Sequence, residues 1–120
     1  MITAVHTLIY SSDPEATRAF LRDVLEWPSV DAGGGWLIFK TGKSELGVHP
    51  GSAEPDDGRN HEITLICDDL EKTMAELSLK GAEFDGGIEE RRFGRAAQLT
   101  VPGAGRLLVY EPQHPTAYDI

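Results

Sequence analysis

The hydrophobic pattern alternates between a strand rhythm and a helix rhythm, and the alternation runs twice. Ile2 to Tyr10 is short, apolar and rich in β-branched residues, which suits a strand buried on both faces. A helix start follows. Ser12 or Asp13 can accept backbone N–H bonds as N-cap, Pro14 fits a first turn that needs no donor, and Glu15 favours the positive end of the dipole. Ala16, Phe20, Val24 and Trp27, with Leu21 and Leu25, then recur at helical spacing up to Pro28, which predicts one helix face in the core. A short strand around Val30, a strand from Trp36 to Phe39 after the Gly33-Gly34-Gly35 turn, and a strand from Glu45 to His49 complete the first half.

Residues 51–59 are turn formers and polar residues, an exposed linker between a first module (1–50) and a second (60–120). After it the order begins again. Glu62 to Cys67 reads as a strand, and Asp69 caps a helix whose Leu70, Met74 and Leu77 share a face and which Lys80-Gly81 ends. Three more strands are predicted, around Glu89, from Ala96 to Val101 and from Arg106 to Glu111. Asp13-Pro-Glu15-Ala-Thr17 matches Asp69-Leu-Glu71-Lys-Thr73, and Leu46-Gly-Val-His49-Pro50 matches Leu108-Val-Tyr-Glu111-Pro112, at equivalent points of the repeated order. The fold class expected is therefore α+β, two tandem β-α-β-β-β modules in one domain.

Composition narrows the partners. The 120 residues leave no room for a second domain, and a net charge of −9 repels phosphate backbones and anionic lipid. Nucleic acid and membrane are accordingly not expected as partners. Cys67 is the one cysteine, so neither an internal disulfide nor a CxxC motif can form. No basic stretch followed by an apolar run opens the chain, and a soluble cytoplasmic protein is expected. Nucleophile elbow, phosphate loop, HExxH and dinucleotide fingerprint are all missing from the sequence.

The segments VHTLIYSSDPEATRAFL and ELGVHP, with a second round ending in a proline-glycine turn and LLVYEP, resemble the vicinal oxygen chelate superfamily, the group of glyoxalase I, bleomycin-resistance proteins and extradiol dioxygenases. The resemblance implies sheets curled around a shared pocket, a small-molecule ligand or substrate, and a homodimer. In metal-bearing members a divalent ion (Ni, Zn, Fe or Mn) is held by the first and last strands of each module. It would fall here to His6, Glu62 and Glu111, with His61 and His49 as alternates. Glu62 precedes Asp69 as His6 precedes Asp13, whereas counting back from Asp68 selects His61.

The last strands weaken that chemistry. The carboxylate that the resemblance expects six residues after the proline of the final turn is Leu108, and the repeat puts Leu46 at the matching point. Glu45, His49 and Glu111 alternate onto the opposite face unless a bulge turns them inward. His49 and His114 each precede a proline at a strand end, where exposure is expected. Strand alternation sets His6 with Tyr10, Glu62 with Thr64, and Leu108 with Tyr110 on one face, and Trp36 and Phe39 can line the same cavity or pack elsewhere. Glu89 to Arg95 reads as an ion-paired loop or as a lid offering an arginine to an anionic substrate. Two functions remain: a pocket protein of the drug-binding or resistance type with a degenerate or absent metal site, which the apolar Leu46 and Leu108 favour, and a divalent-metal-dependent lyase or dioxygenase acting on a small substrate with two adjacent oxygens, in which Glu62 is catalytic.

Overall fold

The computed structural model describes residues 7–45, 62–116 and 118. Their order is α1 (Pro14–Asp23), β1 (Ser29–Asp31), β2 (Leu37–Phe39), β3 (Thr64–Ile66), α2 (Leu70–Leu79), β4 (Glu83–Arg91), β5 (Gly94–Val101) and β6 (Gly105–Pro112). The α+β class is as expected, and β3 to β6 with α2 make up one β-α-β-β-β unit.

Local chemistry starts both helices. Asp13 accepts from the Ala16 N–H at 3.2 Å ahead of Pro14, and Asp69 accepts from the Lys72 N–H at 3.0 Å. The end of α1 differs from expectation. The helix stops at Asp23 although helical spacing continues to Trp27, because Glu26 takes a left-handed conformation (φ 57°). The Leu25 N–H goes back to the Phe20 carbonyl and the Trp27 N–H to that of Leu21, so a wide turn satisfies the last carbonyls. Val24, Leu25 and Trp27 still pack on the core from that turn.

The ladder is also shorter than the apolar runs. Thr7 to Tyr10 make no strand, and Leu8 and Tyr10 are exposed. Most of the first expected strand, and the segment 46–49, lie outside the described residues. In the hairpin, Val30 and Asp31 pair with Ile38 and Leu37. The Asp31 carboxylate accepts the Gly33 N–H at 2.7 Å and the Gly35 N–H at 3.2 Å, in a turn whose glycines all have positive φ.

The larger sheet has the order β3-β6-β5-β4, with β3 parallel to β6 and the other pairs antiparallel. Its pleat separates two faces. Ala97, Leu99, Val101, Leu107 and Val109 turn toward the helices and join Leu70, Phe20 and Leu21 in one core, with Leu70 and Leu99 wholly buried. Thr64, Ile66, Leu108 and Tyr110 point the other way, so the long strands hold a second face free of the helix layer. The expected loop from Glu89 to Arg95 is instead a hairpin closed over Arg92 and Phe93. Arg91 pairs with Glu89 at 2.8 Å, and Arg95 with Glu71 at 2.7 Å and Glu90 at 3.2 Å, the ion-paired one of the two readings.

Candidate functional site

Register assembles the face opposite the helices row by row. Thr64 stands beside Leu108, Leu108 beside Gln98 and Gln98 beside Asp85, while Ile66, Tyr110, Ala96 and Glu89 form the next row. Thr64, Leu108 and Tyr110 are thus brought together by a ladder, which fixes their spacing more firmly than a loop would.

Tyr110 is the most connected of them. Its ring meets Phe93 edge-on, with centroids 5.1 Å apart and planes at 88°, and it lies 5.9 Å from the His114 ring. Its hydroxyl donates to Glu45 Oε1 at 3.4 Å and contacts His114 Nε2 at 3.2 Å. Burial, then the charge of Glu45 and its hydrogen bond, push the phenol above its ordinary range, so Tyr110 stays neutral and able to donate.

Next to this cluster, at the carboxyl ends of β3 and β6, lies an open cavity of about 360 Å³ whose walls include Cys67, Asp68, Glu111, His114, Thr116 and Tyr118. The Lys43 ammonium sits 5.5 Å from the Tyr118 ring centroid at its rim. The Cys67 thiol donates to the Tyr110 carbonyl at 3.5 Å, and burial followed by the negative charges of Glu111, Asp68 and Asp69 pushes it up. Both effects favour the neutral thiol over the thiolate.

His6, His49 and His61 lie outside the described residues. Tyr10 is 86% exposed, Trp36 carries Arg18 over its ring at 5.6 Å, and Phe39 packs against the core. Glu62 is exposed just ahead of β3. Glu111 follows Val109 onto the helix side, where its carboxylate accepts the Leu70 N–H at 3.1 Å and completes the α2 N-terminus. Of the residues expected to hold a divalent ion, Glu62 and Glu111 alone are described, and no group of three His, Cys, Asp or Glu suited to a metal occurs among the described residues. Sequence reading passed over the joining of Glu45 and His114 at Tyr110, since strand alternation points Glu45 away and no periodicity links positions 65 residues apart.

Residues 3–113 match the family model described as Glyoxalase/Bleomycin resistance protein/Dioxygenase superfamily. The chain belongs to this superfamily. No curated protein matches it. Among solved structures it is similar to TnmS3, an antibiotic binding protein from Streptomyces sp. CB03234, at 19% identity and a TM-score of 0.61 over 93% of this chain and 98% of that one. It is similar to lactoylglutathione lyase from Agrobacterium tumefaciens at 18% identity and a TM-score of 0.62, over 92% of this chain and 94% of the other. The fosfomycin resistance protein FosX from Mesorhizobium loti matches at 15% identity with a TM-score of 0.57, over 99% and 98%. Such identities establish the shared fold and leave the chemistry to the site itself. No helix among the described residues is long and apolar enough to cross a membrane.

Proposed function

We propose that this superfamily member binds a small organic molecule on the sheet face of Thr64, Leu108 and Tyr110 and in the adjoining cavity, without a catalytic metal at its centre. The observation that carries the reading is Leu108. It stands mid-face between Thr64 and Gln98, where the family resemblance calls for a carboxylate, and an isobutyl group has no lone pair to give an ion. An apolar centre edged by Thr64, Gln98 and the Tyr110 hydroxyl is the composition of an organic-ligand site. Likeness to an antibiotic binding protein agrees with this reading.

His6 and the aromatics Tyr10, Trp36 and Phe39 are the contacts we propose from the first half, with Tyr10 and Trp36 covered in a homodimer. The acidic balance and single cysteine fit a cytoplasmic protein whose partners are small molecules, not nucleic acid or membrane.

Metal analysis of untagged protein tests the proposal, paired with ligand-observed NMR against a set of small aromatic compounds. Substoichiometric metal, no thermal shift with Ni, Zn, Fe or Mn, and aromatic binding that Leu108→Glu abolishes are the expected results. Stoichiometric metal that disappears in Glu62→Ala would return the chain to the metal-dependent lyase or dioxygenase reading.

A further inference from the structure

The two rows on the face opposite the helices differ in how their polar groups are satisfied. Asp85 is ion-paired with Arg106 and Glu89 with Arg91. The Tyr110 hydroxyl meets Glu45 and His114. Thr64 and Gln98 are the polar side chains of these rows with no hydrogen-bond partner among the described residues, and of the two Gln98 is the half-buried one. A primary amide withdrawn from water without a partner costs free energy, and it carries N–H donors and a carbonyl acceptor side by side in one plane.

The surroundings of Gln98 decide what can answer that amide. It stands on β5 between Leu108 of β6 and Asp85 of β4, one strand spacing or roughly 5 Å from each. An apolar body resting on Leu108 therefore has the amide at its edge. Arg106 belongs to β6 and Asp85 to β4, so their ion pair passes over β5 beside Gln98 and engages the carboxylate that could otherwise take the amide's protons. With that pair closed, the row of Thr64, Leu108, Gln98 and Asp85 offers a ligand no uncompensated charge of either sign. Past Asp85 the register of β4 shifts, and open space surrounds Gly86 and Gly87. The ladder is thus interrupted next to Gln98, in the manner of the bulges that border binding sites.

We infer that Gln98 determines the specificity of this face, and that it selects an uncharged ligand presenting a donor and an acceptor side by side: a carboxamide, a lactam or an imide. The inference rests on the reading of the face as the ligand site and adds the class of ligand. The Gln98 amide donates an N–H to the ligand carbonyl and accepts the ligand N–H at its own oxygen, in two parallel bonds. A carboxylate has no proton for the Gln98 oxygen, and an ammonium has no acceptor for the Gln98 N–H. Either ion leaves one half of the amide unmet.

Benzamide, acetophenone, benzoate and benzylammonium share one ring and separate these cases, with dissociation constants measured by ligand-observed NMR. Benzamide should bind wild type about tenfold more tightly than acetophenone, the net worth of one to two hydrogen bonds, and neither ion should bind better than acetophenone. Gln98→Leu and Gln98→Met keep the bulk and remove the amide, so the preference should vanish in both while acetophenone binds as before. Equal binding of benzamide and acetophenone to wild type, a preference that survives in both variants, or tighter binding of either ion overturns the assignment. Where aromatic probes bind without that preference and Leu108→Glu still abolishes them, the ligand reading stands and the role of Gln98 falls. Where no probe binds wild type, both fall.

Discussion

The Thr17 hydroxyl donates to the Pro102 carbonyl at 2.6 Å, joining α1 to the turn between β5 and β6 across 85 residues of chain. Ser11 Oγ lies 2.8 Å from the same hydroxyl, and the Ser12 N–H donates to the Gly103 carbonyl at 2.9 Å. Because Thr17 is buried, this small polar cluster fixes the first helix on the sheet of the second half, over the core that Phe20 and Leu21 share with Leu70.

Replacing Thr17 by Val keeps the shape and leaves the Pro102 carbonyl without its donor. The loss should be about 0.5 to 1.5 kcal/mol of unfolding free energy, the net worth of one hydrogen bond to a carbonyl that water can reach. Thr17→Ser, which keeps the hydroxyl, should lose less. Urea titration of the two variants checks the order.

Gly94 tests how closely β5 and β6 approach. A Cβ added there would lie 2.1 Å from the Glu111 carbonyl oxygen, and the residue has φ 152°, a backbone that L side chains rarely adopt. Both strands would have to part. Gly94→Ala should cost more than about 2 kcal/mol by combined overpacking and backbone strain. Gly87→Ala is the counterpart, since open space surrounds its position and its φ is ordinary, and its midpoint in thermal unfolding should move little.

Glu111 separates a capping role from a metal role. Its carboxylate is bonded to the Leu70 N–H, so Glu111→Ala should lower stability by about 0.5 to 2 kcal/mol, the range of a lost helix cap. Glu111→Gln, which keeps an acceptor, should recover most of that. Bound metal per chain, measured alongside denaturation, should be the same in all three proteins.

Helix starts were legible because they are local: Asp13-Pro14 and Asp69 announce themselves within one turn. The end of α1 was not. Apolar spacing from Ala16 to Trp27 reports which side chains reach the core, and Val24, Leu25 and Trp27 reach it from a wide turn as well as they would from a helix. The opposite faces of Leu108 and Glu111 followed from the two-residue period of a strand, which the ladder preserves through β6. Tyr110 could be placed on the open face in the same way, yet its partners could not. Glu45 and His114 meet it through the path of the chain, and sequence periodicity carries no information about that path.

Alkaline stability follows from two groups held neutral by the fold. The Tyr110 phenol and the Cys67 thiol are both pushed up in the native protein, chiefly by burial and further by neighbouring carboxylates. Each folded-state pKa lies above its unfolded value, so the native chain binds more protons than the unfolded one between the two. The stabilisation is complete below the ordinary thiol and phenol values, near 9 and 10, and is lost as pH rises through the raised ones. Unfolding free energy should therefore fall from about pH 9 upward. Tyr110→Phe and Cys67→Ala each remove one titrating group, and the double variant should show a shallower alkaline decline than wild type when urea midpoints are compared across that window. An unchanged slope in the double variant would assign the decline to other groups.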